Sequence, residues 1–435
     1  MLSHEDNELL TRVGPGTPMG TLMREYWIPA LLATELPEPD GPPLRVRLLG
    51  EDLIAFRTTC GDVGLVEQGC PHRRASLFFA RNEDNGLRCA YHGWKFNTRG
   101  ECVDMPNELP ECTFKDKVSL RAYPCRERNG VIWAYLGPRQ TLPALPDFEW
   151  NQAVDNIPFL WRNYRQCNWL QALEGDIDSS HLNYLHRTLD AQERSTVPGH
   201  EAPGYAGKQA PFLSSSGAPT LEVVETEAGV MYGARRRLDR ERDYWRVSPF
   251  LLPFHTMVGG GGEEQVQFNG KAWVPMDDEH TLVLEWQFRP GQPWSDDERE
   301  ELMRVRNPWG FLPATSEPAG AWKPRANAGN DYFLDRGLQR TKLFCGIQSN
   351  PLQDTAMQES MGPICDRTRE QLGPADAMII QVRRRLLRAA KELRDRQTIP
   401  PGVDQPAAYR VRPAAAILPV DSDWRQVLKT KLMAS

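Results

Sequence analysis

Between Leu44 and Gly137 apolar and polar residues alternate in short runs. LRVRLLG, EDLIAFRT, DVGLVEQ, GLRCAYHGWKF and GVIWAYLG are separated by Gly, Asn, Asp and Pro. A period of two with turn residues between runs predicts strands, and their close spacing predicts a small antiparallel β domain. Pro143 to Pro146 (PALP) marks a boundary, dividing the chain into 1–145 and 146–435. Beyond it apolar residues of NYRQCNWLQAL recur at helical spacing. Continued through NWLQALEGDIDSSHLNYLH, the pattern predicts one helix reaching His186. Residues 187–218, rich in Gly, Pro, Ser and Ala, are expected to form a long loop.

Three further strand-like runs follow, LEVVETEAGVMYGARRRL, DYWRVSPFLLPFHTMV and VQFNGKAWVPMDDEHTLVLEWQF. They predict a twisted antiparallel sheet with helices packed on it. The Pro-, Gly- and Trp-bearing stretch from Arg289 to Asn330 is expected to be a second covering loop. Helix is expected after Pro351 and again after Asp376, where Met378, Ile379, Ile380, Val382, Leu386 and Leu387 form a packing face. Residues 396–435 are expected to be a Pro-rich tail over the surface. The fold class is therefore α+β.

The 435 residues, 40% hydrophobic and 25% charged, are ordinary for a globular chain. A net charge of −6 without long single-sign blocks argues against nucleic acid. No run reaches the 18 or so apolar residues of a membrane span. The start, MLSHEDNELLTRV, has neither the basic region nor the apolar core of a signal peptide, so a cytoplasmic location is expected. The nine cysteines are odd in number and scattered, which does not describe a disulfide framework.

Four positions change this picture: Cys70 and His72, then, after sixteen intervening residues, Cys89 and His92. Two cysteines and two histidines suit a structural zinc site or a Rieske [2Fe–2S] centre, where two thiolates hold one iron and two imidazoles the other. Each half carries one residue of each type, as two loops that both reach two irons require. Cys60, Cys102 and Cys112 have no matching histidine. A second candidate lies in EGDIDSSHLNYLH, with His181 and His186 beside Glu174, Asp176 and Asp178. Two imidazoles and a carboxylate aimed at one point form the ligand set of a non-haem ferrous site with open positions.

CPHR…CAYHGW resembles the Rieske signature of ring-hydroxylating oxygenases, and Asp178, His181 and His186 match that family's D-x-x-H-x4-H motif. MLSHEDNELLTRVGPGTPMGTLMREYWIPA, WVPMDDEHT and AMQESMGPICDRTREQLG are similar to its phthalate 4,5-dioxygenase branch, so the resemblance covers nearly the whole chain. It implies an N-terminal antiparallel β Rieske domain, with Cys70, His72, Cys89 and His92 holding [2Fe–2S]. It also implies a catalytic domain in which His181, His186 and a distant carboxylate hold Fe(II). QDTAMQES resembles the family's segment for that carboxylate, which makes Asp354 the ligand and Glu359 its rival. Asp178 would join a cluster histidine of a neighbouring subunit to an iron histidine of its own, which implies a homotrimer or stacked trimers.

The branch dihydroxylates aromatic carboxylates with O2. It draws electrons from a separate NADH-dependent reductase holding FMN and a plant-type [2Fe–2S] cluster. A carboxylate substrate needs a cation. Arg246 is the first candidate and Lys208 the second, while Ser179 and Ser180 could touch substrate or cap the helix. His255 stands in LPFHT where an aromatic residue is expected, which predicts an altered pocket. Two enzyme alternatives are O-demethylation and N-demethylation by the same iron chemistry. Outside that class stand a Rieske electron carrier, which would need no second iron, and a zinc-binding protein.

Overall fold

A computed structural model describes residues 2–153, 156–189, 218–259 and 267–434. The chain opens on two short helices, α1 (His4–Thr11) and α2 (Pro18–Arg24). Ser3 and Thr17 cap them by accepting from the amides of Asp6 and Gly20. Strand β1 (Trp27–Leu32) follows.

The expected N-terminal strands form two four-stranded antiparallel sheets. One is β2 (Leu44–Leu48), β3 (Glu51–Arg57), β4 (Val63–Glu67) and, beyond the second sheet in the chain, Ala122–Tyr123. The other runs β5 (Arg81–Glu83), β6 (Gly86–Arg88), β7 (Lys95–Phe96) and β8 (Cys102–Asp104). Ile54, Phe56, Val66, Leu77, Leu87, Phe96 and Leu120 fill a core between them. Cys125–Arg128 and Val131–Tyr135 are the next two strands, and the latter pairs with β1.

The third region is built on an eight-stranded antiparallel sheet. It starts at Phe159–Arg165, so the residues read as the beginning of a helix are a strand, paired along its length with Thr281–Gln287. Helix α3 (Trp169–Ile177) begins only after Asn168, whose side chain accepts from the Leu170 amide. The predicted runs supply Phe268–Pro275, Thr281–Phe288, His255–Met257, Arg242–Leu251 and Gly229–Arg237, with Thr220–Glu225 at the far edge. The stretch expected as a covering loop contains α4 (Asp296–Arg306), started by a Ser295–Glu298 capping box. Helices α5 (Asn350–Ser360) and α6 (Ala377–Arg396) follow as expected.

The tail does not merely lie over the surface. Ala414–Pro419 pairs with Arg242–Val247 as a sheet strand, and Trp424 is fully buried. Three consecutive alanines on that strand let it fit close against Trp245. Most of the loop expected over 187–218, with Lys208 in it, lies outside the described residues.

Two buried charge clusters hold α3 to the rest of the domain. Glu174 accepts from Arg367 at 2.9 Å and from Arg383 at 2.6 Å, and all three are almost wholly buried. Burial alone would raise the Glu174 pKa, but the two guanidinium groups outweigh it and hold the carboxyl below its usual range. Asp176 takes bonds from Lys271 Nζ (2.6 Å) and Thr256 Oγ1 (2.5 Å). Glu174→Ala would leave two buried arginines short of their counter-charge, a loss of about 3–5 kcal/mol. The expected outcome is a lower urea midpoint at neutral pH. Because the folded pKa is depressed, the wild-type advantage is present above the unfolded carboxylate pKa and vanishes as pH falls through the folded value. Equal midpoints at pH 7 would refute the assignment.

Candidate metal centres

The first centre is built by two loops, one between β4 and β5 and one between β6 and β7. They close alike. The Arg74 amide donates to Cys70 O (2.8 Å) and the Gly93 amide to Cys89 O (2.9 Å). Both donors are left-handed, at φ +61° and +79°. A side chain at residue 93 would drive its Cβ to 2.6 Å from Pro106, so only glycine fits there. Each cysteine is thus the first residue of a five-residue turn, with its histidine two or three places on.

Cys70 and Cys89 are buried, and the His72 and His92 rings lie 4.4 Å apart at the tip. His72 stacks on Trp94 at 4.4 Å, and its Nδ1 is buried without a hydrogen-bond partner, as a nitrogen kept for a metal would be. Burial, with the adjacent Cys89, raises the Cys70 pKa to about 11.

A single tetrahedral zinc, with bonds of about 2.0–2.3 Å, would draw all four donor atoms to within about 4 Å of one another. Among the described residues no three of these four bring ligand atoms within 4.8 Å of one another. The quartet fits a two-iron cluster, in which the thiolates hold one metal and the imidazoles another. It does not fit one zinc ion.

The second centre is the one group of described residues whose ligand atoms do meet that distance: His181, His186 and Asp354. His186 Nε2 lies 3.2 Å from His181 Nε2 and 3.2 Å from Asp354 Oδ1, and His181 Nε2 lies 3.6 Å from Asp354 Oδ1. Bonds of about 2.1 Å meeting near right angles put donors about 3 Å apart, which a facial set with open positions requires.

The local route to this geometry differs from the single helix expected. Helix α3 ends at Ile177 because Asp178 turns its carboxylate onto the Ser180 amide and hydroxyl, both at 2.7 Å. This local bond competes with the helical ladder. A short 3₁₀ turn, His181–Asn183, then brings the two histidines together. Asp178 and His181 are still neighbours, with Oδ2 and Nδ1 at 3.5 Å. Burial would raise the Asp178 pKa, yet the bonds to His181 and Ser180 outweigh it and lower it.

Asp354 sits one turn into α5 and is held well below the ordinary carboxylate range. Burial opposes this, but His186 and His181 outweigh it. Glu359, its rival, faces elsewhere, accepting from the Gln166 amide (2.9 Å) and the Tyr332 hydroxyl (2.5 Å). Sequence reading missed Gln353, whose Oε1 lies 2.6 Å from His186 Nδ1 and whose Nε2 donates to Ile347 O. This fixes which nitrogen His186 presents to a metal. Only its place beside Asp354 could have pointed to it.

The substrate-side candidates separate. Arg246 is buried on the strand facing α3. It donates Nε to Gly259 O, and its charge acts on His181. Ser179 is fully buried and accepts from Arg236, and the half-buried Ser180 donates its hydroxyl to Asp178, so both serve the turn. His255 is also misplaced by the sequence reading. Thr256 points at α3, so the neighbouring His255 faces away, among Phe148, Trp133 and Tyr409. Burial pushes its pKa down to about 3, so it is a neutral core residue.

A Rieske [2Fe-2S] domain model matches residues 26–124, and a model described as "LigXa C-terminal domain like" matches residues 134–434. The chain is 40% identical to the 3-chlorobenzoate-3,4-dioxygenase oxygenase subunit of Comamonas testosteroni, over 98% of each chain. The chain belongs to the Rieske non-haem iron oxygenases.

It is also 36% identical to the phthalate 4,5-dioxygenase oxygenase subunit of Pseudomonas putida, over 98% of this chain and 94% of that one. Its fold is that of dicamba monooxygenase bound to dicamba, with a TM-score of 0.59, 18% identity, and coverage of 86% of this chain and 99% of the other. The Rieske oxygenase architecture expected from the sequence, a β domain followed by a sheet-and-helix domain, is thereby borne out. No helix among its described residues is long and apolar enough to cross a membrane.

Proposed function

We propose that this chain is the oxygenase subunit of a multi-component enzyme that uses O2 to dihydroxylate an aromatic carboxylate. The observation that carries the reading is the convergence of His181, His186 and Asp354 in a chain that also bears the paired Cys–His loops. An electron carrier needs no such second site. The chain divides near 145/146, with Cys70, His72, Cys89 and His92 holding the cluster and His181, His186 and Asp354 the ferrous ion.

Iron held by three protein groups supplies open positions at which O2 can be reduced beside an unligated substrate. Adding both oxygen atoms of O2 across two ring carbons takes up two electrons and two protons, so a separate electron donor is required. An NADH-dependent reductase with FMN and [2Fe–2S] fits that need. Around the iron, Gln353 orients His186 and Asp178 accepts from His181 Nδ1. Asp178 is also the group through which a cluster histidine of a neighbouring subunit would be joined, in a homotrimer or stacked trimers. Arg246 is the cation proposed to take the substrate carboxylate.

Iron and acid-labile sulfide counts, with electron paramagnetic resonance of the reduced protein, test the cofactors. Three irons and two sulfides per chain with a Rieske signal are expected, and zinc in their place would sink the reading. Oxygen uptake across a panel of aromatic acids tests the reaction. A ring diol is expected, whereas formaldehyde from methoxylated acids would assign demethylation instead.

For Arg246→Ala, losing a charge-assisted hydrogen bond costs about 1.5–3 kcal/mol. KM for aromatic acids should rise about tenfold to a hundredfold, with little change for uncharged amide analogues. An unchanged KM for the acids removes Arg246 from the substrate site.

A further inference from the structure

Arg236 lies on the strand Gly229–Arg237, one diagonal step from Arg246, and their side chains share the sheet face toward α3. It is 1% exposed. Its Nη2 donates to Ser179 O at 2.7 Å and lies 3.2 Å from Ser179 Oγ. Its Nε and Nη1 are buried with no hydrogen-bond partner. A buried guanidinium normally has a carboxylate to meet, since an unpaired buried charge is costly. Here the bonds it makes run to one residue of the 178–181 turn.

Those two unpaired nitrogens are buried away from solvent, so a substrate carboxylate does not reach them without rearrangement. What Arg236 does reach is the peptide between Asp178 and Ser180. Two bonds on Ser179 from one side, and two from Ser180 onto Asp178 from the other, pin the segment that ends α3 and delivers His181.

We infer that Arg236 is a positioning residue for electron transfer between the two metal centres. Through Ser179 it fixes the turn that sets Asp178 against His181. This rests on Asp178 being the bridge. The cost of an unpaired buried cation is then offset by geometry at the junction rather than by an ion pair.

The test uses the full-length protein carrying both metals, as Arg236→Met, Arg236→Lys and Asp178→Asn beside wild type. Two quantities are read. One is hydrogen–deuterium exchange of the peptide covering 178–183. The other is the rate at which a reduced cluster reoxidises in a single turnover with substrate and O2. Arg236→Met is expected to speed exchange in that peptide about tenfold or more and slow reoxidation by a similar factor, with iron and sulfide contents unchanged. Arg236→Lys, which keeps one donor for Ser179 O, should recover part of both. If Arg236→Met does not fold, Arg236→Lys alone decides, with a slowing of at least about threefold required.

Wild-type exchange and reoxidation in the Arg236 variants, or loss of the mononuclear iron from them, overturns the inference. A slow Asp178→Asn beside a normal Arg236→Met confines that failure to Arg236. A normal Asp178→Asn removes the bridge itself.

Discussion

An Asp354→Ala variant is expected to lose its mononuclear iron and its oxygen uptake together, while the cluster keeps its full paramagnetic signal. Among the described residues Asp354 is the one carboxylate meeting both Nε2 atoms, at 3.2 and 3.6 Å. Two neutral imidazoles alone make a far weaker site for a ferrous ion than two imidazoles and a charge. The cluster loops belong to a separate hydrophobic core that contains none of these three residues, so they should not respond. Iron content below about a tenth of the wild-type excess over the cluster, and no measurable turnover, is the predicted result. Glu359→Gln is the control. Its carboxylate serves Gln166 and Tyr332, so that variant should keep its iron even if it is less stable. Iron retained in Asp354→Ala but lost in Glu359→Gln would reverse the assignment.

Asp178→Asn is expected to keep both metals and lose coupled turnover. Asparagine has the same shape and still accepts from the Ser180 amide through its carbonyl, so the turn that ends α3 should survive. What disappears is the charge beside His181 Nδ1 and the ability to accept from two imidazole donors through two equivalent oxygens. Removing the hydrogen-bonded partner of a metal-bound histidine costs about 10- to 100-fold. Joining two centres through the same residue places the expected loss at the upper end, about 100-fold or about 2.7 kcal/mol. The loss should appear in cluster reoxidation, while the mononuclear iron and the cluster iron and sulfide stay stoichiometric. Wild-type reoxidation would dismiss Asp178 as the bridge. Analytical ultracentrifugation of the wild type supplies the companion measurement, since a strictly monomeric chain has no neighbouring cluster to join.

Much of this site is legible in the amino-acid sequence. Cys70, His72, Cys89 and His92 could be named because a two-metal cluster demands two loops with one thiol and one imidazole each, and such loops are short and local. The strands around them were legible for a similar reason, since alternation on a half-buried sheet is written into neighbouring residues. His181 and His186 could be named from the same stretch. The path between them could not. The helical pattern continues past Ile177, but the Asp178 carboxylate finds the Ser180 amide, and that one bond ends the helix.

The larger errors have a common cause. Asn163–Arg165 read as the start of a helix because the apolar spacing of the stretch runs through it, and only pairing with Thr281–Val283 makes it part of a strand. The tail read as surface because three alanines carry little pattern, yet small size is what lets Ala414–Pro419 pair beside Trp245. His255 read as a pocket residue, although one step of strand register turns it to the opposite face from Thr256.

The sequence by itself determined which chemistries this protein can hold, because ligand types and short spacings are local properties of the chain. Tertiary structure decided which carboxylate meets the two histidines, since Asp354 and Glu359 share one helix and differ only in the direction they face. It also decided that Gln353 orients His186, that Glu174 is neutralised by Arg367 and Arg383, and that an unpaired Arg236 stands behind Ser179. Each of these contacts joins residues 57 to 209 positions apart. A bond across that separation exists only once the sheet has set the register of its strands and the helices have packed against it.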